Sequence, residues 1–282
     1  MSRASAFTWT LSGFGDEIDP DPRIQMAVLH ALGANHLEVR SAWGVNVVDL
    51  DDDQLNALRS LLVEQQMAVS AIASPIGKVD VSLDAEFEVQ RLRRVIHVAH
   101  ALDTANIRVF SFFRADGVPV GRIRDDVMTR MRLLADEAEK EHITLLHENE
   151  KAIYGDVPER VLDLVESVGS SALRLAWDSA NFVQVGVEPY TDGYALLRPY
   201  LDYLQVKDAV AATGRVVPAG EGDGQLRETL TALRDDGYDG FVSLEPHLVD
   251  AFELGGFSGP TEFGRAARAF AGLIAELGVH TQ

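Results

Sequence analysis

The chain has 282 residues and no cysteine. That excludes disulfides and thiolate metal ligands but, taken alone, no cellular compartment. Positive charge is scarce, 25 Lys and Arg against 44 Asp and Glu, for a net charge of -19. Such a field repels phosphate backbones, and no basic stripe offsets it, so no nucleic-acid partner is expected. The acid is read as a solubilising coat on outer helices. Long apolar runs are missing too. None approaches the ~20 residues of a membrane span, so no membrane partner is expected. The segment Met1-Ser2-Arg3-Ala4-Ser5-Ala6-Phe7 lacks a basic stretch followed by an apolar one, which points to a cytoplasmic protein. Nucleotide and hydrolase signatures are absent. Gly13-Phe14-Gly15 lacks the third glycine of a dinucleotide fingerprint, and there is no Walker A motif or Gly-x-Ser-x-Gly elbow.

What is present is alternation. Strand-like stretches at 7–15, 36–40, 67–72, 107–112, 144–151, 175–178, 203–208 and 242–247 are each followed by a helix-like one. The helices are read near 22–32, 51–63, 84–102, 125–141, 157–168, 188–200, 225–236 and 261–277. Strand starts recur roughly every 33 residues without an obvious sequence repeat. Eight β-then-α units in under 300 residues favour a (β/α)8 TIM barrel of the α/β class over an open doubly wound sheet. A barrel of this length is commonly one domain, so a single domain over residues 1–282 is expected.

Four of the strands end in polar groups, and a barrel gathers such ends at one rim. Glu148, Asp178, Gln205 and Glu245 close strands five to eight. Three carboxylates and an amide oxygen meeting in a buried space repel one another unless a cation intervenes, and an all-oxygen set suits one Mg²⁺ or Mn²⁺ ion. The plainer alternative is that single members cap the following helix, as Asp178 could before Ser179-Ala180. Glu148 and Glu245 could also serve as a proton-transfer pair on opposite faces of a hydroxy-carbonyl compound, a cation stabilising the enediolate. Glu150 shares a strand face with Glu148, Lys207 with Gln205, and His247 with Glu245, so all three are candidate substrate contacts. For Lys207 the alternative is an ion pair with Asp208 or Glu150, and for His247 a loop position turned to solvent. Lys78 at the third strand end and Arg215 in the loop after strand seven could reach substrate oxygens, and solvated positions are the alternative. Glu38 and Arg40 read as an internal ion pair.

The segments Ser74-Pro75-Ile76-Gly77-Lys78, His147-Glu148-Asn149-Glu150, Asp178-Ser179-Ala180-Asn181-Phe182, Lys207-Asp208-Ala209, Pro218-Ala219-Gly220-Glu221-Gly222-Asp223-Gly224 and Glu245-Pro246-His247-Leu248 resemble the sugar phosphate isomerase/epimerase family, the xylose-isomerase-like TIM barrels. The resemblance runs from Gly13 to the last helix. It implies one divalent ion held by residues of the last four strands, here Glu148, Asp178, Gln205 and Glu245. Gln205 stands where the family usually has His. Asn181 stands where epimerases often place a substrate-binding His, and it is a candidate hydroxyl contact. Arg215 falls where some epimerases bind substrate. The activity implied is isomerisation or epimerisation of a small sugar or keto-polyol. The rivals are dehydration of a keto-inositol or related keto-polyol through the same enolate, and a non-catalytic sugar-binding barrel. The family's endonuclease branch needs a His-rich three-zinc cluster, which 8 His with only His147 and His247 near the rim do not supply. Assembly into a homo-oligomer is compatible with the sequence.

Overall fold

The computed structural model describes residues 7–252 and 255–282. Eight parallel strands form the barrel wall: β1 (Phe7–Gly13), β2 (His36–Val39), β3 (Ala68–Ala73), β4 (Asn106–Val109), β5 (Thr144–Glu148), β6 (Leu173–Asp178), β7 (Leu201–Val206) and β8 (Phe241–Leu244). Each pairs with the next from β2 to β8, and β8 returns to β1, with Thr10 opposite Phe241 and Gly13 opposite Leu244. A parallel bridge from Phe14 to Glu38 closes the ring. A ninth strand, β9 (Val279–Thr281), lies along the first half of β1. The structure is thus a TIM barrel, as the alternation predicts.

Seven helices of ten or more residues, Pro22–Ala31, Asp52–Gln65, Ala85–Ala101, Arg124–Lys140, Pro158–Val168, Leu226–Asp235 and Gly259–Glu276, follow the strands. Their starts follow local chemistry. Asp51 accepts from Gln54 N while Gln54 returns a bond to Asp51 N, a reciprocal cap. Asp21 and Asp84 cap the first and third. The sixth unit departs from expectation. A short helix, Ser179–Gln184, follows β6 directly, and the expected helix at 188–200 is built of a π-helical piece, Pro189–Tyr194, an α-helical turn, Ala195–Leu197, and a 3-10 turn, Arg198–Tyr200. Pro199 disfavours a regular helix near its end, and a methyl at Gly193 would sit tightly against Pro158 and Trp177, at 3.0 and 3.2 Å.

The strands end earlier than the apolar runs suggest. β4 stops at Val109 and β8 at Leu244, and the chain beyond them reaches positive φ at Phe112 (66°) and His247 (45°). Among the described residues three small antiparallel arms follow strand ends: Ser41–Ala42 with Val45–Asn46, Asp208–Ala209 with Val216–Val217, and Val249–Phe252 with Gly255–Phe257.

Strand periodicity divides two cores. Leu145, Leu175, Trp177, Leu204, Val206, Val242 and Leu244 pack outward in the large core under the helices. Ala71, Leu146, Ala176 and Tyr203 fill the barrel interior. The residues two steps on from these inner positions, Glu148, Asp178 and Gln205, are therefore carried to the mouth. All three are buried.

Candidate active site

The strand ends bring three acids together. Glu148, Asp178 and Glu245 each place a carboxylate oxygen within 4.8 Å of the others, and all are buried. Gln205 is level with Asp178 and Ser243 on the neighbouring strands. It is fully buried, and neither its amide oxygen nor its nitrogen has a hydrogen-bond partner. An orphaned buried amide is costly. Three converging carboxylates and one unspent amide oxygen form a donor set that fits a hard divalent ion. Asp178 also has the capping role, since Oδ1 accepts from Asn181 N at 2.9 Å.

The chain meets much of the acid repulsion from within. Arg108 Nη1 lies 3.1 Å from Glu148 Oε2 and 3.8 Å from Glu245 Oε1, with Phe14 and Phe110 flanking its guanidinium. Lys207 Nζ donates to Asp178 Oδ2 at 2.9 Å and to Asn181 Oδ1 at 3.1 Å, and reaches Glu245 Oε2 at 3.5 Å. Arg40 Nη1 stands 3.7 Å from Glu245 Oε1. The need for a cation is thus partly satisfied by side chains. Sequence reasoning passed over Arg108. Its signal was a charged residue between Ile107 and Val109 in an apolar strand, which must point inward if its neighbours point out.

Environment divides the two glutamates. Burial pushes Glu148 up to about 7, against the pull of Arg108. Burial acts on Glu245 in the same sense, but Lys207, His247 and Arg108 outweigh it and hold that carboxyl well below the usual range. Near neutral pH one carries a proton readily and the other stays ionised. Burial likewise raises Asp178, with Lys207 opposing it. Lys207 itself is disfavoured by burial, yet Asp178 and Glu245 keep it firmly protonated.

His247 is not turned to solvent. Its Nε2 lies 3.1 Å from Glu17 Oε1 and 3.2 Å from Glu245 Oε1, and its backbone N–H donates to Glu17 Oε2 at 2.8 Å. Burial disfavours the imidazolium, but Glu17 and Glu245 raise the group to about 9. Asn181 is fixed between Glu148 Oε1, to which Nδ2 donates at 3.0 Å, and Lys207. Lys78 sits at the rim over the Phe110 ring, its Nζ 3.2 Å from Glu150 Oε2.

Several expectations are corrected. Lys207 pairs with Asp178 and Glu245 rather than with Asp208, whose carboxylate instead accepts backbone N–H groups from Gly220, Gly222 and Gly224. Arg40 is bound to Asp16, Nε to Oδ2 at 2.8 Å, and not to Glu38, which accepts from the Tyr203 hydroxyl at 2.9 Å. Beneath the site Tyr203 continues a polar chain through Ser70 to Ser12. Arg215 is exposed, next to the arm strand Val216–Val217.

The profile of the xylose isomerase-like TIM barrels matches residues 26–270. The chain belongs to that family. Within the xylose isomerase-like barrels it is 42% identical, over 77 residues, to a 2-epi-5-epi-valiolone 7-phosphate 2-epimerase of Actinoplanes sp. (strain ATCC 31044 / CBS 674.73 / SE50/110). That match spans 27% of this chain and 28% of the epimerase. The fold is similar to that of a probable 3-DHS dehydratase involved in petrobactin synthesis in Bacillus anthracis, with a TM-score of 0.74, 16% identity, and 94% of this chain and 99% of that one covered. It is also similar to a barrel of this family from Mycobacterium smegmatis solved in complex with magnesium, with a TM-score of 0.72, 18% identity, and 99% and 100% covered. Among the described residues no helix is long and apolar enough to cross a membrane.

Proposed function

We propose that this xylose isomerase-like barrel is a divalent-metal-dependent isomerase or epimerase of a small sugar or keto-polyol. The observation that carries the reading is the meeting of Glu148, Asp178 and Glu245 beside the unspent amide of Gln205 at the C-terminal mouth of the barrel. These four residues would hold one Mn²⁺ or Mg²⁺ ion, which supplies polarisation of a substrate carbonyl and stabilisation of the enediolate. The epimerase that the chain matches in part and the magnesium-bound barrel of similar fold support the reading.

The residues of the chain divide the remaining work. Glu245, which neighbouring positive charge holds ionised, takes the proton from the carbon beside the carbonyl. Glu148 returns one to the opposite face. Asn181, Lys207 and His247 bind substrate oxygens around the two glutamates, and Lys78 with Glu150 binds them at the rim. Arg215, exposed on its arm, has no part in this scheme.

The rival chemistry, dehydration, shares the first proton abstraction. It gains support from Glu148, because a protonated carboxyl can equally protonate a departing hydroxyl. Incubation of the Mn²⁺-loaded protein with D-allulose and with a keto-inositol in deuterated water separates the readings by mass and NMR. The expected result is one deuterium in recovered or epimerised substrate with no loss of water. Loss of water assigns a lyase. Binding with no exchange into either compound assigns a sugar-binding barrel and overturns the enzymatic reading.

A further inference from the structure

Every carboxylate of the cluster already touches a buried cation of the chain. Among these cations Lys207 is the most closely inserted. Its ammonium donates to Asp178 Oδ2 at 2.9 Å and lies 3.5 Å from Glu245 Oε2, so it contacts two of the four candidate ligands. Its third contact, Asn181 Oδ1 at 3.1 Å, is an amide oxygen. Three oxygens around a fully desolvated ammonium make an environment resembling the one a hard metal ion seeks. Two like charges cannot share it cheaply, since Coulomb repulsion is strong in a site with so little water.

We propose that Lys207 is the resident cation of this cluster. Its ammonium occupies the space between Asp178 and Glu245 when no ion is bound, and a divalent ion enters only as Lys207 turns away. The proposal rests on the metal reading of the cluster and goes beyond it by assigning a competitor to the ion. A second acceptor is at hand for the displaced ammonium. Glu150 follows Glu148 by two residues in the chain, beyond the end of β5. Glu150 also holds Lys78 at 3.2 Å. Entry of the ion would therefore move one positive charge from the floor of the site to its rim, beside the substrate mouth. Gln205 fits the same scheme. It adds no charge to the cluster, so Lys207, Arg108 and Arg40 face only three carboxylates.

The test is Mn²⁺ binding, followed by equilibrium dialysis and by the electron paramagnetic resonance of free Mn²⁺. The proteins are the full chain, Lys207→Met, Glu150→Gln and the double variant, with the first variant purified in Mn²⁺ and then dialysed. Removal of the competitor is expected to tighten binding at least tenfold in Lys207→Met. Glu150→Gln, which deprives the displaced ammonium of its acceptor, is expected to weaken binding several-fold in the parent chain and to change nothing in the Lys207→Met background. Chelator is expected to lower the unfolding midpoint of the Mn²⁺-loaded Lys207→Met by more than that of the Mn²⁺-loaded parent. Equal or weaker binding by Lys207→Met, with the parent still binding, overturns the proposal alone. Absence of binding by every form overturns both the proposal and the metal reading beneath it. If Lys207→Met does not fold even with Mn²⁺, Glu150→Gln decides, and unchanged affinity overturns the proposal.

Discussion

Arg108 and Glu148 meet inside the barrel mouth, Nη1 to Oε2 at 3.1 Å, both almost wholly shielded from water. Breaking a buried pair by removing one partner commonly costs ~3–5 kcal/mol because the survivor keeps an uncompensated charge. Glu148 has an escape, since it can take up a proton. Arg108→Met is therefore expected to lose about 2–4 kcal/mol of stability at pH 8 and distinctly less at pH 5.5, where a neutral Glu148 needs no cation. Urea unfolding at the two pH values measures the difference. Arg108→Lys is expected to recover only part of the loss, because a lysine keeps the charge but not the planar group that fits between Phe14 and Phe110.

Glu38 makes a second pH prediction. It lies buried below the cluster, where Tyr203 donates to Oε2 and Oε1 has no partner. Burial raises its carboxyl from 4.5 to about 7, with Arg108 opposing. The folded chain thus keeps a proton that the unfolded chain releases earlier. Between pH 4.5 and about 7 the unfolded state binds fewer protons, so Glu38's contribution to stability falls as pH rises. The loss approaches about 3 kcal/mol above that window. Glu38→Gln has no such proton to lose. Relative to the parent it is expected to gain stability between pH 5 and pH 8, read from paired urea titrations. Equal pH slopes for the two proteins contradict the prediction.

The two mouth glutamates should be separable by exchange experiments. Glu245→Gln is expected to keep the fold and lose turnover by a factor of at least about 10³, since it removes the ionised base. Glu148→Gln removes the other proton carrier. It is expected to abolish epimer formation yet leave measurable deuterium entry into recovered substrate, because abstraction at one face persists. Near-normal turnover by Glu245→Gln would remove that residue from the mechanism.

The barrel was legible in the sequence because its signals are local. Caps at Asp51 and Asp84, glycines after helices and apolar runs all act within a few residues. The acid cluster was legible for the same reason. Period-two alternation fixes Glu148, Asp178 and Gln205 relative to strands whose place in the ring follows from counting. What stayed hidden depends on neighbours distant in the chain. Arg108 was invisible as a site residue because its partners, Glu148, Glu245 and Phe14, come from three other strand ends. His247 reads as a loop residue until Glu17, 230 positions earlier, is seen to accept its backbone N–H. The pairing expected for Glu38 and Arg40 failed because strand β2 ends between them, at Val39, which leaves Arg40 free to turn toward Asp16.

Asp208 carries the last prediction. Its carboxylate accepts four backbone N–H groups, from Ala209 at 2.8 Å, Gly220 at 2.9 Å, Gly222 at 3.1 Å and Gly224 at 2.8 Å. The segment from 209 to 224 therefore folds around one side chain that follows Lys207 directly in sequence. Gly222 and Gly224 are needed for this approach, since a methyl at either would collide with Asp208 Oδ1. Asp208→Ala leaves four donors without their charged acceptor. Water can reach some of them, so the expected cost is about 2–4 kcal/mol rather than the full sum. Asp208→Asn keeps one acceptor oxygen and is expected to lose roughly half as much. The damage should be local. Amide hydrogen exchange at Gly220, Gly222 and Gly224 is expected to speed up by at least tenfold in Asp208→Ala, while the amides of β5 and β6 keep their protection. Uniform loss of protection across the barrel would instead mean that Asp208 supports the whole fold and not this loop alone.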